Sequence, residues 1–153
     1  MFFITGMSTF TWILIAYIGL HLGEIHLEPL QEILRSRNIE TLLDFPVLIH
    51  GFAKGHYFTL HAKEVFLIVG SIALFIEIAK AATTTTKMAG SETLLSFIVS
   101  MIFIVMFFMF DWARNPTFLI LGIMSLIDAT GGFIIELNAA RRDVNIMGGG
   151  GGL

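Results

Sequence analysis

Four charged residues, Glu77, Lys80, Asp128 and Glu136, interrupt the long apolar stretches of this sequence, and the chemistry of the first three depends on that setting. Glu77, Lys80 and Asp128 each interrupt a run of apolar residues. If these runs cross a bilayer, each charge near the bilayer centre costs at least about 2.5–3.5 kcal/mol, so the acids must face the protein interior and be paired or protonated. Lys80 is the base within reach of both acids. The three residues therefore predict a buried network that fixes the helices, or alternatively a proton or cation site.

Two histidine–glutamate pairs form a second candidate site. His21 precedes Glu24 by three residues and His61 precedes Glu64 by three residues, so in a helix each pair projects from one face. Imidazole and carboxylate ligands together suit zinc, iron or manganese. Di-metal bundles, however, use the opposite order, Glu-x-x-His, with further carboxylates from other helices. Hydrogen bonding at a membrane interface is the simpler interpretation, and a divalent metal site is the alternative.

Four apolar segments must position these side chains. A helix that crosses a membrane needs about 20 predominantly apolar residues. The segments of this length are residues 1–22, 64–82, 92–110 and 116–138. Because the links between the last three segments are short, those segments must run in alternating directions. We expect an all-α integral membrane protein built as a four-transmembrane-helix antiparallel bundle.

Depth along the segments places several polar residues in one layer of that bundle. Glu77 lies 13 residues after the start of the second segment and Asp128 lies 12 residues after the start of the fourth, which is about 18–20 Å at about 1.5 Å per residue. Ser96 and Ser100 of the third segment, which runs the other way, fall at a similar depth. We call Glu77, Lys80, Asp128, Ser96 and Ser100 the polar layer and expect it to be one buried network.

The link between the first two segments is long, spanning residues 23–63. Leu27, Leu30, Ile33 and Leu34 recur at helical spacing with charged residues between them, which predicts an amphipathic helix at the membrane surface. We expect this apolar face to dock partner proteins. The second half of the link is a candidate interfacial hairpin. After the fourth segment, residues 139–153 end in a glycine run and are expected to form a flexible tail.

Composition limits the classes of protein to which the chain can belong. It has 153 residues, of which 56% are hydrophobic and only 14% are charged, against about 25% charged in an ordinary soluble domain. The net charge of −3 gives no basic surface for nucleic acid. The absence of cysteine excludes disulfides and thiolate metal sites. The composition is that of an integral membrane protein, for which bound lipid is expected.

The basic residues close to the segment ends give the expected orientation. Lys80 and Lys87 flank one link, and Arg141 and Arg142 follow the fourth segment on the same side. Cytoplasmic loops carry an excess of Lys and Arg close to the spans, so both termini are expected in the cytoplasm. The protein itself is expected in the inner membrane of a bacterium.

Three classes of function fit these features. The first is a non-catalytic, accessory subunit of a larger membrane complex, whose partners are other membrane proteins or further copies of this chain. The second is a homo-oligomeric proton or cation channel or transporter that uses Glu77 and Asp128. The third is a metal-binding membrane enzyme or redox subunit that uses the two histidine–glutamate pairs. No complete catalytic motif is present, so the first class is favoured and no cofactor is expected.

Overall fold

The computed structural model describes residues 8–51, 57–83 and 89–148, and this part of the chain is mostly helical. The helices are α1 (Thr9–His26), α2 (Glu28–Arg37), α3 (Ala62–Thr83), α4 (Ala89–Met109) and α5 (Pro116–Gly148). Short 3-10 turns at Leu42–Asp44 and Asp111–Ala113 follow α2 and α4.

A two-stranded antiparallel hairpin separates α2 from α3, so the expectation of an all-α chain is wrong here. Strand β1 is Pro46–Gly51 and strand β2 is Tyr57–His61, with Ile49 opposite Thr59. The pairing is irregular between Pro46 and Leu48. Strand β1 contains the β-branched residues Val47 and Ile49, and β2 contains Tyr57, Phe58 and Thr59, all of which favour extended backbone. The hairpin occupies the part of the link where an interfacial hairpin was a candidate.

Three helices are long and apolar enough to cross a membrane. These stretches are Ala62–Ala82 of α3, Glu92–Met109 of α4 and Pro116–Asn138 of α5. Helix α1 meets the same test only together with α2, from which it is bent by 85°. The number of candidate spans is therefore three, or four if this bent pair counts as one. The first seven residues of the predicted first span lie outside the described residues, and α1 continues four residues past its predicted end at Leu22.

Helix α5 packs against both α3 and α4, and α1 contacts α3 and α4. A Cβ atom built on Gly132 would lie 3.3 Å from Thr93 Oγ1, and one built on Gly122 would lie 3.2 Å from Phe103 Cβ. The early part of α4 thus meets the late part of α5, and the two helices run antiparallel. The largest fully buried side chains are Phe10, Tyr17, Phe103, Phe118 and Leu121.

Asn115 starts α5 and ties it to α1. Its Oδ1 accepts a hydrogen bond from the Phe118 backbone N–H at 3.0 Å, which is the pattern of a helix N-cap, and Pro116 occupies the first turn. The same oxygen accepts the Tyr17 hydroxyl at 3.0 Å. At its other end α5 continues to Gly148, ten residues past the predicted end of the fourth segment at Asn138. No proline or glycine occurs between residue 138 and Gly148 to stop the helix.

The base of the hairpin is fixed to the start of α3. Lys63 Nζ donates to Asp44 Oδ1 at 2.6 Å, and the Ala62 backbone N–H donates to the Phe45 carbonyl at 3.0 Å. The hydrogen bond from Lys63 is the main reason that the pKa of Asp44 is lowered from its usual value. These contacts set where the hairpin leaves the helices.

Candidate functional site

The Asp128 carboxyl group is the centre of the polar layer. It lies on α5 and is only 7% exposed. Ser8 Oγ, which precedes α1, donates to Asp128 Oδ2 at 3.2 Å, and Ser96 of α4 interacts with the same carboxyl group. Ser8 also caps α1, because its Oγ accepts from the Phe10 backbone N–H at 3.3 Å. Asp128 therefore joins three helix segments at one buried point.

Glu77 of α3 holds the first residue of α1. Its Oε1 accepts from the Thr9 backbone N–H at 2.8 Å and from Thr9 Oγ1 at 2.5 Å. The backbone N–H groups of the first helical turn have no partner within the helix, and a carboxylate there also interacts favourably with the positive end of the helix dipole. The start of α1 is thus bound by carboxyl groups from two other helices.

Lys80 lies at the edge of the layer and contacts two carboxylates. Its Nζ is 2.8 Å from Glu92 Oε2 and 3.9 Å from Glu77 Oε2. The sequence predicted Glu77 and Asp128 as its neighbours but missed Glu92. The signal was available, since Glu92 opens the third segment on the side where Lys80 closes the second.

The layer continues toward the end of α5 through a further carboxyl group. Thr93 Oγ1 donates to Glu136 Oε1 at 2.5 Å. This contact was also missing from the predicted site. The Thr93–Glu136 and Lys80–Glu92 contacts form a second cluster of polar side chains at the start of α4.

Ser100, the last predicted member of the layer, is buried but has no hydrogen-bond partner among the described residues, and Ser125 of α5 shares this property. The structure thus brings Glu77, Lys80, Asp128 and Ser96 together, and places Ser100 in the same interface without a bond.

The histidine–glutamate pairs are not assembled into one site. His61 Nδ1 is 3.2 Å from Glu64 Oε2, but His61 is the last residue of β2, so the two residues meet at the start of α3 and not on one face of a helix. The His21 ring instead stacks on Trp112 with ring centroids 4.4 Å apart. His21 and Glu24 line a small cavity of about 120 Å³ with Tyr17, Leu20, Thr41, Leu43 and Trp112. Within residues 8–51, 57–83 and 89–148, no group of three or more His, Asp or Glu side chains is placed to hold a metal ion.

The predicted docking face on α2 is divided between the chain's own core and its surface. Leu34 is 5% exposed, so this chain already covers it. Leu30 is half-buried and lies near Gly23 of α1, where its Cδ1 would be 3.6 Å from an added Cβ. Leu27 and Ile33 are exposed. Only these last two remain available to a partner.

Comparisons with protein-family models, with curated proteins and with solved structures found no match to this chain. Its function must therefore be argued from its own geometry.

Proposed function

We propose that this chain is a non-catalytic, accessory subunit of a larger membrane complex, inserted as a four-helix antiparallel bundle. The observation that carries the proposal is the β1–β2 hairpin, an apolar surface outside the candidate spans. Ile49 is 64% exposed and Tyr57 is 76% exposed, and Val47, Leu48 and Phe58 are also exposed. The register places Ile49 and Tyr57 on one face of the hairpin and Leu48 and Phe58 on the other, so apolar side chains are exposed on both faces. Exposed apolar surface of this kind outside a protein core marks protein or membrane contacts. A two-stranded hairpin is at best marginally stable by itself in water, so a covering partner would stabilise it.

The contacts of α1 support its place as the fourth span of the bundle. Its first residue meets Glu77, far along α3, while Tyr17, further along α1, meets Asn115 at the start of α5. These contacts indicate that α1 runs opposite to α3 and α5. The 85° bend after α1 agrees with α2 as a surface helix. Both termini then lie on one side, which we assign to the cytoplasm of a bacterial cell.

This topology predicts the outcome of cysteine labelling. The chain has no cysteine, so each introduced cysteine is a unique label. Ser36→Cys and Asp111→Cys should react with an impermeant maleimide from one face of the membrane, and Gly149→Cys from the opposite face. Labelling of Asp111→Cys and Gly149→Cys from the same face would contradict the four-span arrangement.

The accessory role predicts that the hairpin holds the chain in its complex. Tagged wild-type chain extracted in mild detergent should migrate on native gels well above its mass of 17.0 kDa. The double variant Ile49→Ser/Tyr57→Ser should lose that assembly and the proteins that co-elute with it in mass spectrometry. The reason is that a partner would lose apolar burial worth about 25 cal/mol per Å².

Matched variants separate docking from folding. Thr59 lies on the exposed strand β2, and the Thr59→Ala variant should still assemble into the complex. Thermal unfolding should show that the double variant Ile49→Ser/Tyr57→Ser is still folded. Leu27→Ser/Ile33→Ser tests the remaining exposed part of the α2 face. A double variant that is folded and still fully assembled would contradict docking through the hairpin.

The two other classes of function make different predictions for the purified chain. A channel or transporter would give ion flux in liposomes that Asp128→Asn abolishes. The buried Asp128 and the partly buried Glu77 are the observation in its favour. A metal-dependent subunit would contain about one or two metal ions per chain, lost in His61→Ala. If the isolated protein shows either the ion flux or the bound metal, the accessory role is wrong and the corresponding function takes its place.

A further inference from the structure

Two buried hydroxyl groups in the α4–α5 interface have no hydrogen-bond partner within the described residues. Ser100 is 1% exposed and Ser125 is 0% exposed. Helical serines often donate to the carbonyl oxygen of the preceding turn, as Ser71 does to Leu67 at 2.8 Å, but these two do not. An unsatisfied buried polar group costs about 1–3 kcal/mol, so two in one interface call for a common ligand.

The register of the two helices brings these hydroxyls to the same level. Thr93 meets Gly132, and Phe103 meets Gly122. On α4, Ser100 lies seven residues after Thr93 and three before Phe103. On α5, Ser125 lies seven residues before Gly132 and three after Gly122, so both contacts place Ser100 opposite Ser125. Both hydroxyls therefore belong to one point of the interface.

Asp128 lies next to that point. It follows Ser125 by three residues, about 4.5 Å along the helix axis and on the same face. Helical side chains lean toward the N-terminus of their helix, which inclines the Asp128 carboxylate toward the level of Ser125 and Ser100. An ionised carboxylate has about four acceptor positions, and the contacts with Ser8 and Ser96 leave room for another ligand.

The charges of the layer favour a cation as that ligand. Its described side chains include four carboxyl groups, Glu77, Glu92, Asp128 and Glu136, and one ammonium group, Lys80. Lys80 makes its close contacts with Glu92 and Glu77, and Thr93 binds Glu136. Asp128 receives hydroxyl contacts and an electrostatic attraction from Lys80, which it shares with Glu77 and Glu92. One ammonium group thus serves at least three carboxyl groups, and a buried charge in a poorly solvated site is costly without a counter-charge of its own.

We propose that Asp128, Ser125 and Ser100 bind a small monovalent cation such as Na⁺, with Ser8 and Ser96 holding the carboxylate in place. All the ligand atoms are oxygens, which suit hard cations rather than zinc or copper. A single carboxylate balances a single positive charge, so a divalent ion would leave excess charge in the interface. The proposed cation is bound in the interface and is not transported, and the site does not depend on the accessory role of the chain.

The test is the unfolding temperature of the purified full-length chain in detergent at pH 8. It is measured in NaCl and in choline chloride at the same ionic strength, because choline is too large for the interface. Wild-type protein should be stabilised by Na⁺ in a saturable way, by about 2–4 °C. Asp128→Asn should abolish this shift, while Ser71→Ala, which removes a hydroxyl outside the layer, should retain it. An equal unfolding temperature of the wild type in the two salts would overturn the proposal.

Ser125→Ala and Ser100→Ala provide the sharper test, because the competing explanations predict different signs. If the hydroxyls bind Na⁺, each variant is less stable than wild type in NaCl and loses most of that difference in choline chloride. If they have no ligand, removing an unsatisfied polar group stabilises the protein equally in both salts. If a water molecule binds them, the variants are destabilised equally in both salts. Either of the last two results would overturn the cation site, even if Asp128→Asn does not fold.

Discussion

Glu77→Leu should destabilise the folded chain by about 2–4 kcal/mol, measured by equilibrium unfolding in mixed detergent micelles. The substitution leaves both the backbone N–H and the hydroxyl of Thr9 without an acceptor. A hydrogen bond to a charged group contributes about 1.5–3 kcal/mol, and a buried donor left unpaired costs a comparable amount. Because Thr9 is the first residue of α1, the loss should fall on the docking of α1 against α3.

Glu77→Gln is the matched control for that prediction. The amide oxygen still accepts from Thr9, so this variant should lose less than half as much stability as Glu77→Leu. The same comparison at Glu92, whose side chain is more exposed, should show a smaller difference. If Glu77→Gln and Glu77→Leu are equally destabilised, the Thr9 contacts do not stabilise the fold and Glu77 acts through its charge alone.

The sequence predicted most of the polar layer because depth along a membrane helix can be counted. Glu77, Asp128 and Ser96 lie together as expected, since a charge placed in the middle of an apolar helix has to face other helices. Depth does not give the rotation of each helix about its axis. For that reason the sequence predicted Glu77 and Asp128 as the neighbours of Lys80 but missed its close contact with Glu92.

The same limit explains the outcome at the other predicted sites. His61 and Glu64 are in contact, but at a junction of strand and helix that their spacing did not indicate, and the spacing of His21 and Glu24 could not show that His21 stacks on Trp112. Periodicity identified the apolar face of α2, yet it cannot distinguish a face that meets a partner from one that meets the same chain, as Leu34 does. The hairpin is a case in which β-branched and aromatic residues outweighed the helical character of the surrounding sequence.

Glycine substitutions at the helix contacts should destabilise the chain by different amounts according to their surroundings. Gly122→Ala should destabilise the chain by about 1–3 kcal/mol, because the new Cβ would lie 3.2 Å from Phe103 Cβ, which moves only with the α4 backbone. Gly70→Ala should be milder. Its Cβ would lie 2.7 Å from Leu121 Cδ2 and 3.1 Å from Met124 Sδ, both at flexible side-chain ends that can shift.

Gly131→Ala is the matched control on α5. Among the described residues, no atom beyond the adjacent residues and the local helix backbone lies within 4 Å of its added Cβ. Alanine is favoured over glycine within a helix by about 0.5–1 kcal/mol, so this variant should be slightly more stable than wild type. Leu121→Ala is itself destabilising because Leu121 is fully buried, so the test is a double-mutant cycle: Gly70→Ala should cost less in the Leu121→Ala background than in wild type if the clash with Leu121 is its cause. The comparison uses one unfolding assay for all variants. If Gly122→Ala and Gly131→Ala behave alike, close approach at Gly122 does not hold α4 against α5, and the register on which the cation site depends would need to be redrawn.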